Sequence, residues 1–121
     1  MTLAVGVDII EVARIEQSLS RLGTRFLDRI FTTQEQAYCK GRATSLAGRF
    51  AVKEAVAKAL GTGIGEVGWK EIEILDDQHH APVLNLHGNA INKANELGLS
   101  NWSVSLSHSK RYTIAFVVAT S

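Results

Sequence analysis

The stretch from Leu46 to Leu60, LAGRFAVKEAVAKAL, decides most of what this chain can become. Ser45 can cap a helix here and Gly61 can stop it, so the spacing predicts a helix over 46–60. Alanine and valine lie on nearly every side of it, and a helix apolar all round belongs in the middle of a fold. The rest of the chain must wrap around it. Charge enters along one stripe: at 100° per residue, Phe50, Lys53, Glu54 and Ala57 fall within about 100° of one another, with Lys58 just beyond. A Glu54–Lys58 pair at i,i+4 is ordinary on a solvated face and worth about 0.3–0.5 kcal/mol. The other sides, however, carry Ala51, Val52, Ala55, Val56 and Ala59. Charges crowded onto so apolar a helix mark a site.

Residues 3–10 are apolar except for Gly6 and Asp8, and predict a short buried strand ending in a carboxylate. Val12, Ile15, Leu19, Leu22, Phe26 and Ile30 recur at spacings of three and four, which predicts helix over 11–30, broken at Gly23. Thr33 with Gln36 forms a capping box for a helix over 34–40, and Gly41 stops it. After the glycine-rich run Gly61–Gly68, Trp69–Leu75 alternates as a strand with one wet face. Asp76–Gln78 turns into a second strand near 82–87, which Pro82 assigns to an edge or a strand start. A short helix over 89–97 stops at Gly98. Trp102, Val104 and Leu106 alternate with Ser103, Ser105 and Ser107, while Tyr112–Ala119 is apolar on both faces; the two pair as a hairpin through His108–Arg111. The expected fold is α+β, one domain over 1–121, with a small, mostly antiparallel sheet packed against the long central helix.

A chain of 121 residues buries about two thirds of its surface on folding, which leaves little material to wall a deep cleft. Its formal net charge of +1 excludes a polybasic nucleic-acid coat or membrane anchor. The first 60 residues nevertheless carry nine Lys/Arg against six Asp/Glu, and the remainder four against six. Any anionic partner should meet the first half. Arg14, Arg21, Arg25 and Arg29 would fall within about 80° on a continuous helix, bordered by Leu22 and Phe26. A basic helix with apolar edges suits an acidic helical partner. Cys39 stands alone, without a disulfide partner or the company of a zinc site, so a reducing, cytoplasmic setting is expected. The opening MTLAVGVDII has no basic n-region, and no apolar run reaches the roughly 18 residues that a membrane span needs.

An unpaired charge in an apolar strand is costly, so Asp8 must be paired, bound to a metal, or at the strand's exposed end as a cap for the helix starting at Glu11. With Glu54 it supplies the one or two carboxylates that Mg²⁺ takes from a protein when phosphate oxygens and water fill its other positions. Lysines nearby would offset the remaining phosphate charge. Asp8 and Glu54 are 46 residues apart, so their meeting is a tertiary expectation. The run Gly61-Thr62-Gly63-Ile64-Gly65 would let backbone approach a phosphate, but it lacks the Lys-Ser/Thr of a Walker motif and follows a helix. A helix stop and turn is the simpler reading. Ser105–Arg111 puts hydroxyls, an imidazole and two cations at a strand end; adjacency builds no catalytic triad, and a polar turn accounts for it as well. His79, His80 and His87 lie in or beside a turn and read as surface residues.

Three blocks, Gly6-Val7-Asp8-Ile9, Arg49–Ala59 (RFAVKEAVAKA) and Gly61-Thr62-Gly63, together resemble the 4′-phosphopantetheinyl transferases. The length and near full-chain match resemble the short, holo-[acyl-carrier-protein] synthase type, and Leu106-Ser107-His108-Ser109 is similar to the family's third motif. The resemblance implies transfer of 4′-phosphopantetheine from coenzyme A to a serine of apo-acyl carrier protein, releasing adenosine 3′,5′-bisphosphate, with Mg²⁺ as cofactor, in fatty acid biosynthesis. It implies Asp8 and Glu54 as Mg²⁺ ligands and, with Lys58, as the catalytic set. Arg49, Lys53, Gly63, Ser107 and His108 become coenzyme A contacts, and Arg14, Arg21 and Arg25 the carrier-docking residues. Similar proteins are homotrimers with coenzyme A bound between subunits. The base for the serine proton stays open between Glu54, through a water on the metal, and Glu35 near the helix cap. A noncatalytic module of this fold should have lost one of Asp8, Glu54 and Lys58. A diphosphate hydrolase would need an acidic cluster that the chain does not offer.

Overall fold

The structure, a computed structural model, describes residues 2–121. Strand β1 (Leu3–Glu11) runs into helices α1 (Val12–Leu22) and α2 (Thr24–Ile30), parted at Gly23, and then into α3 (Thr33–Cys39) and α4 (Ala43–Leu60). A 3₁₀ turn at Trp69–Glu71 leads to β2 (Ile72–Asp76), β3 (Pro82–Leu86), α5 (Gly88–Leu97), β4 (Asn101–His108) and β5 (Tyr112–Thr120). The strands form two antiparallel sheets, one of order β1-β5-β4 and a smaller β2-β3 pair. This is the expected α+β arrangement, with the antiparallel strands divided between two sheets.

The central position of α4 follows from its side chains. Ala51, Val52, Ala55, Val56 and Ala57 are all fully buried, and the inner face of the large sheet answers with Ala115, Val117 and Ala119. Small groups on both sides bring backbone close to backbone, so dispersion contacts are dense without long side chains. The closest approach is at Gly6 of β1, where an added Cβ would overlap the Ala55 carbonyl of α4. Only glycine fits there.

Several local expectations are corrected. Helix α4 begins at Ala43 with Arg42 as its N-cap and no side-chain cap, so Ser45 lies inside the helix. The capping box sits one residue earlier than Thr33 and Gln36: the Thr32 hydroxyl accepts from the Glu35 amide (3.2 Å) and the Glu35 carboxylate accepts from the Thr32 amide (2.9 Å). Trp69–Glu71 is a 3₁₀ turn rather than strand, and β2 has no wet face, because Glu73 is buried and accepts from the Thr32 hydroxyl at 2.6 Å. Asp8 caps nothing; α1 starts after Glu11 without a side-chain cap. Strand β1 is not buried on both faces either. Leu3, Val5, Val7 and Ile9 point outward and are more than half exposed, beside exposed Tyr112, Ile114 and Phe116 of β5. The large sheet therefore has one face on α4 and one apolar face open. Among the described residues, no helix is long and apolar enough to cross a membrane.

Replacing Gly6 with alanine should cost at least the roughly 1–3 kcal/mol typical of overpacking, read by urea unfolding. A loss below about 0.5 kcal/mol, the range of an ordinary surface change, would mean that β1 can move off α4 without penalty.

Candidate functional site

Because Gly6 admits the α4 backbone, the next inward residue along β1, Asp8, arrives at the charged stripe of α4. The Lys58 ammonium donates to the Val7 carbonyl (2.8 Å) and to Asp8 Oδ1 (3.3 Å), tying the strand to the helix. Two of its three protons are spent, which leaves one for a ligand. Glu54 stands one turn earlier on α4, partly buried. Its carboxyl is held above the usual glutamate range by burial first and by the charge of Asp8 second, with Lys58 pulling the other way. The sequence gap between the two carboxylates is closed as expected, and their charges interact.

Two neighbouring carboxylates are short of positive charge, and Lys58 supplies only part of it. Among the described residues there is no cluster of three or more His, Cys, Asp or Glu side chains. A donor set of two carboxylates fits Mg²⁺, which leaves its other positions to water and phosphate oxygens.

A cavity of about 670 Å³ opens beside the start of α4, walled by Tyr38, Ser45, Arg49, Asp76, His80 and His108 among others. Gly48, on its lining, lies six residues before Glu54, about 9 Å along the helix axis and about 120° around it, so the cavity and the carboxylate pair occupy different sides of α4. Arg49 is almost wholly buried: Nη2 meets Asp76 Oδ1 at 3.0 Å, Nη1 donates to the Ser45 carbonyl at 3.4 Å, and the guanidinium lies 4.4 Å from the centre of the Tyr38 ring. Its Nε–H has no partner. Hydrogen bonding to Asp76, with burial behind it, raises the Tyr38 phenol above its ordinary value. His108 Nδ1 lies 3.3 Å from the hydroxyl of buried Thr113.

Lys53 does not reach this cleft. It is fully buried, and its three protons go to Glu35 Oε1 (2.8 Å) and to the carbonyls of Trp69 (2.9 Å) and Ile72 (2.6 Å). Burial lowers its pKa, against the pull of Glu35. Glu35, equally buried, also accepts from the Thr32 and Ile74 amides. The coenzyme contact expected of Lys53 and the base role considered for Glu35 give way to a structural one: the pair staples α3, α4 and β2 together. Ser107 lies opposite Ile114 on the open face of the sheet, two strands from Asp8, and Gly63 is exposed in the loop after α4. His79 and His80 are exposed, as read from the sequence, with His80 at the rim of the cavity, and His87 meets Glu73 at 3.1 Å. Tyr38 and Asp76 were outside every motif; only the fold brings them to Arg49. Arg14, Arg21, Arg25 and Arg29 are all exposed, and Leu22, Arg25, Phe26, Arg29, Ile30 and Trp69 line a groove of about 250 Å³.

Fold and site define a small α+β protein with two carboxylates and a lysine gathered on its central helix and, nearer the start of that helix, a cavity lined in part by Arg49. The family model of the 4′-phosphopantetheinyl transferase superfamily matches residues 4–117, and the chain belongs to that family. Within it the chain groups with the holo-[acyl-carrier-protein] synthases. It is 51% identical to the holo-[acyl-carrier-protein] synthase of Herpetosiphon aurantiacus, with 96% of this chain and 97% of the relative covered. Among solved structures, the Helicobacter pylori holo-[acyl-carrier-protein] synthase in complex with coenzyme A is 37% identical with a TM-score of 0.87, covering 96% of this chain and 99% of that one. The Neisseria meningitidis enzyme of the same name is 35% identical with a TM-score of 0.88, covering 98% of each chain.

Removing the neighbouring charge by Asp8→Asn should move the Glu54 titration down toward its ordinary range, leaving the part due to burial. Carboxyl ¹³C NMR over a pH series reads this directly. An unmoved Glu54 would mean that the two carboxylates do not form one centre.

Proposed function

We propose that the chain transfers 4′-phosphopantetheine from coenzyme A to a serine of apo-acyl carrier protein, as an Mg²⁺-dependent, cytoplasmic homotrimer serving fatty acid biosynthesis. The observation that carries this reading is the convergence of Asp8, Glu54 and Lys58 where β1 crosses α4. The coenzyme-bound Helicobacter relative and the family membership support the same substrate.

Asp8 and Glu54 would hold Mg²⁺, which when bound supplies positive charge to the coenzyme diphosphate. The remaining Lys58 proton donates to a phosphate oxygen, and that donation strengthens as charge builds in the transition state. Arg49 and His108, which the family resemblance assigns to coenzyme A, line the separate cavity nearer the start of α4, and there they would receive its phosphate-bearing nucleotide end. The carrier serine oxygen attacks the phosphorus joined to pantetheine in line; the bond from that phosphorus to the bridging oxygen breaks, and adenosine 3′,5′-bisphosphate leaves. Of the two candidate bases, Glu54 is the one beside the reacting groups. Its carboxylate would accept the serine proton through a water.

The exposed arginines of α1 and α2, beside their apolar groove, suit an acidic helical carrier. The open apolar face of the large sheet supports assembly of copies, since a monomer rarely leaves so large a contiguous apolar surface wet. Ser107 lies on that face, so its expected contact with coenzyme A would be made across a subunit boundary.

Incubated with apo-acyl carrier protein, coenzyme A and Mg²⁺, the protein should add one phosphopantetheine to the carrier, seen as a mass shift. No shift would sink the reading. Glu54→Gln should lower turnover on the order of 10²-fold or more, and light scattering of the same preparation should give the mass of three chains. Arg14→Ala and Arg21→Ala should raise the carrier KM and flatten its salt dependence while sparing the coenzyme KM. Equal losses for both substrates would point to misfolding instead.

A further inference from the structure

Asp76 ends β2 and its side chain, 14% exposed, faces Arg49 from the opposite wall of the cavity. The guanidinium is the one arginine among the cavity's lining residues, and a phosphate entering there needs its charge. That charge is offset before any ligand arrives, because Asp76 Oδ1 already lies 3.0 Å from Nη2. The other contacts of Arg49, the Ser45 carbonyl and the Tyr38 ring, fix its plane without cancelling its charge. A phosphate on Arg49 would share one cation with a carboxylate, and in a partly buried site the two anions repel with little screening.

Resting on the transferase reading, we propose that Asp76 is a charge counterweight that weakens the cavity's grip on the phosphate-bearing nucleotide and speeds release of adenosine 3′,5′-bisphosphate. Affinity changes of this kind appear mainly in the dissociation rate, and product release limits turnover in many enzymes. The sign separates this role from a structural one. An aspartate that only holds Arg49 in place would, when lost, leave a looser site and weaker binding. A counterweight, when lost, leaves tighter binding.

Asp76→Asn is the direct test, since the amide oxygen still accepts from Arg49 and from Tyr38 while the charge is gone. Calorimetric titration with adenosine 3′,5′-bisphosphate should show binding on the order of tenfold tighter than wild type, with a steeper salt dependence. Adenosine, which has no phosphate, should bind the two proteins alike. Asp76→Ser, neutral and smaller, should also tighten the bisphosphate and decides the matter if the asparagine variant melts early. If wild type binds the bisphosphate and both variants bind it equally or more weakly, the counterweight is wrong and the transferase reading stands. Should wild type bind no bisphosphate at all, both fall together.

Discussion

The contact between Gly6 and the Ala55 carbonyl is the constraint on which the rest of the molecule depends. It lets β1 lie backbone to backbone against α4, and that approach alone carries Asp8 to Lys58 and Glu54. The alanines of α4 and of β5 serve the same end, since any larger side chain would hold helix and sheet apart and widen the spacing of the charged groups. Packing and chemistry are here one requirement. The residues that bring the elements close have no functional groups, and those with functional groups are useful only at that spacing.

Two lysines five residues apart on α4 illustrate how the fold divides its charges. Lys58 keeps its side chain 53% exposed and one proton unspent, so it can answer a ligand. Lys53 is sealed inside with every proton committed, and its partner Glu35 is held by two backbone amides besides. Breaking such a buried pair by removing one partner commonly costs about 3–5 kcal/mol, because the charge left behind has no water to turn to. The pair therefore fixes where α3 and β2 meet α4, and with them the cavity wall that bears Tyr38 and Asp76.

What was legible in the sequence was whatever a single element's periodicity or composition carries. The all-round apolarity of α4, the alternation of β4 and the glycine stops follow from local pattern, and Asp8 and Glu54 stand out because a carboxylate is out of place among alanine and valine. The helical wheel could say that Lys53 and Glu54 are neighbours but not which one faces inward; that depends on where Glu35 lies, 18 residues earlier. The Glu73 side of β2 looks wet for the same reason, its partners Thr32 and His87 being distant in the chain. Asp76 resembles any turn residue until the cavity closes around Arg49. Local pattern records each group's character, and long-range pairing decides its use.

The open face of β1 and β5 also has a meaning for the life of the protein at different abundances. Leu3, Val5, Val7, Ile9, Ile114 and Phe116 give a lone chain a sticky surface at the moment it finishes folding. If copies cover that surface, the native state is drawn forward by mass action, and stability becomes a function of how much of the chain is present. Dilution would then act as a denaturant for this protein, one that works without touching any bond inside the subunit.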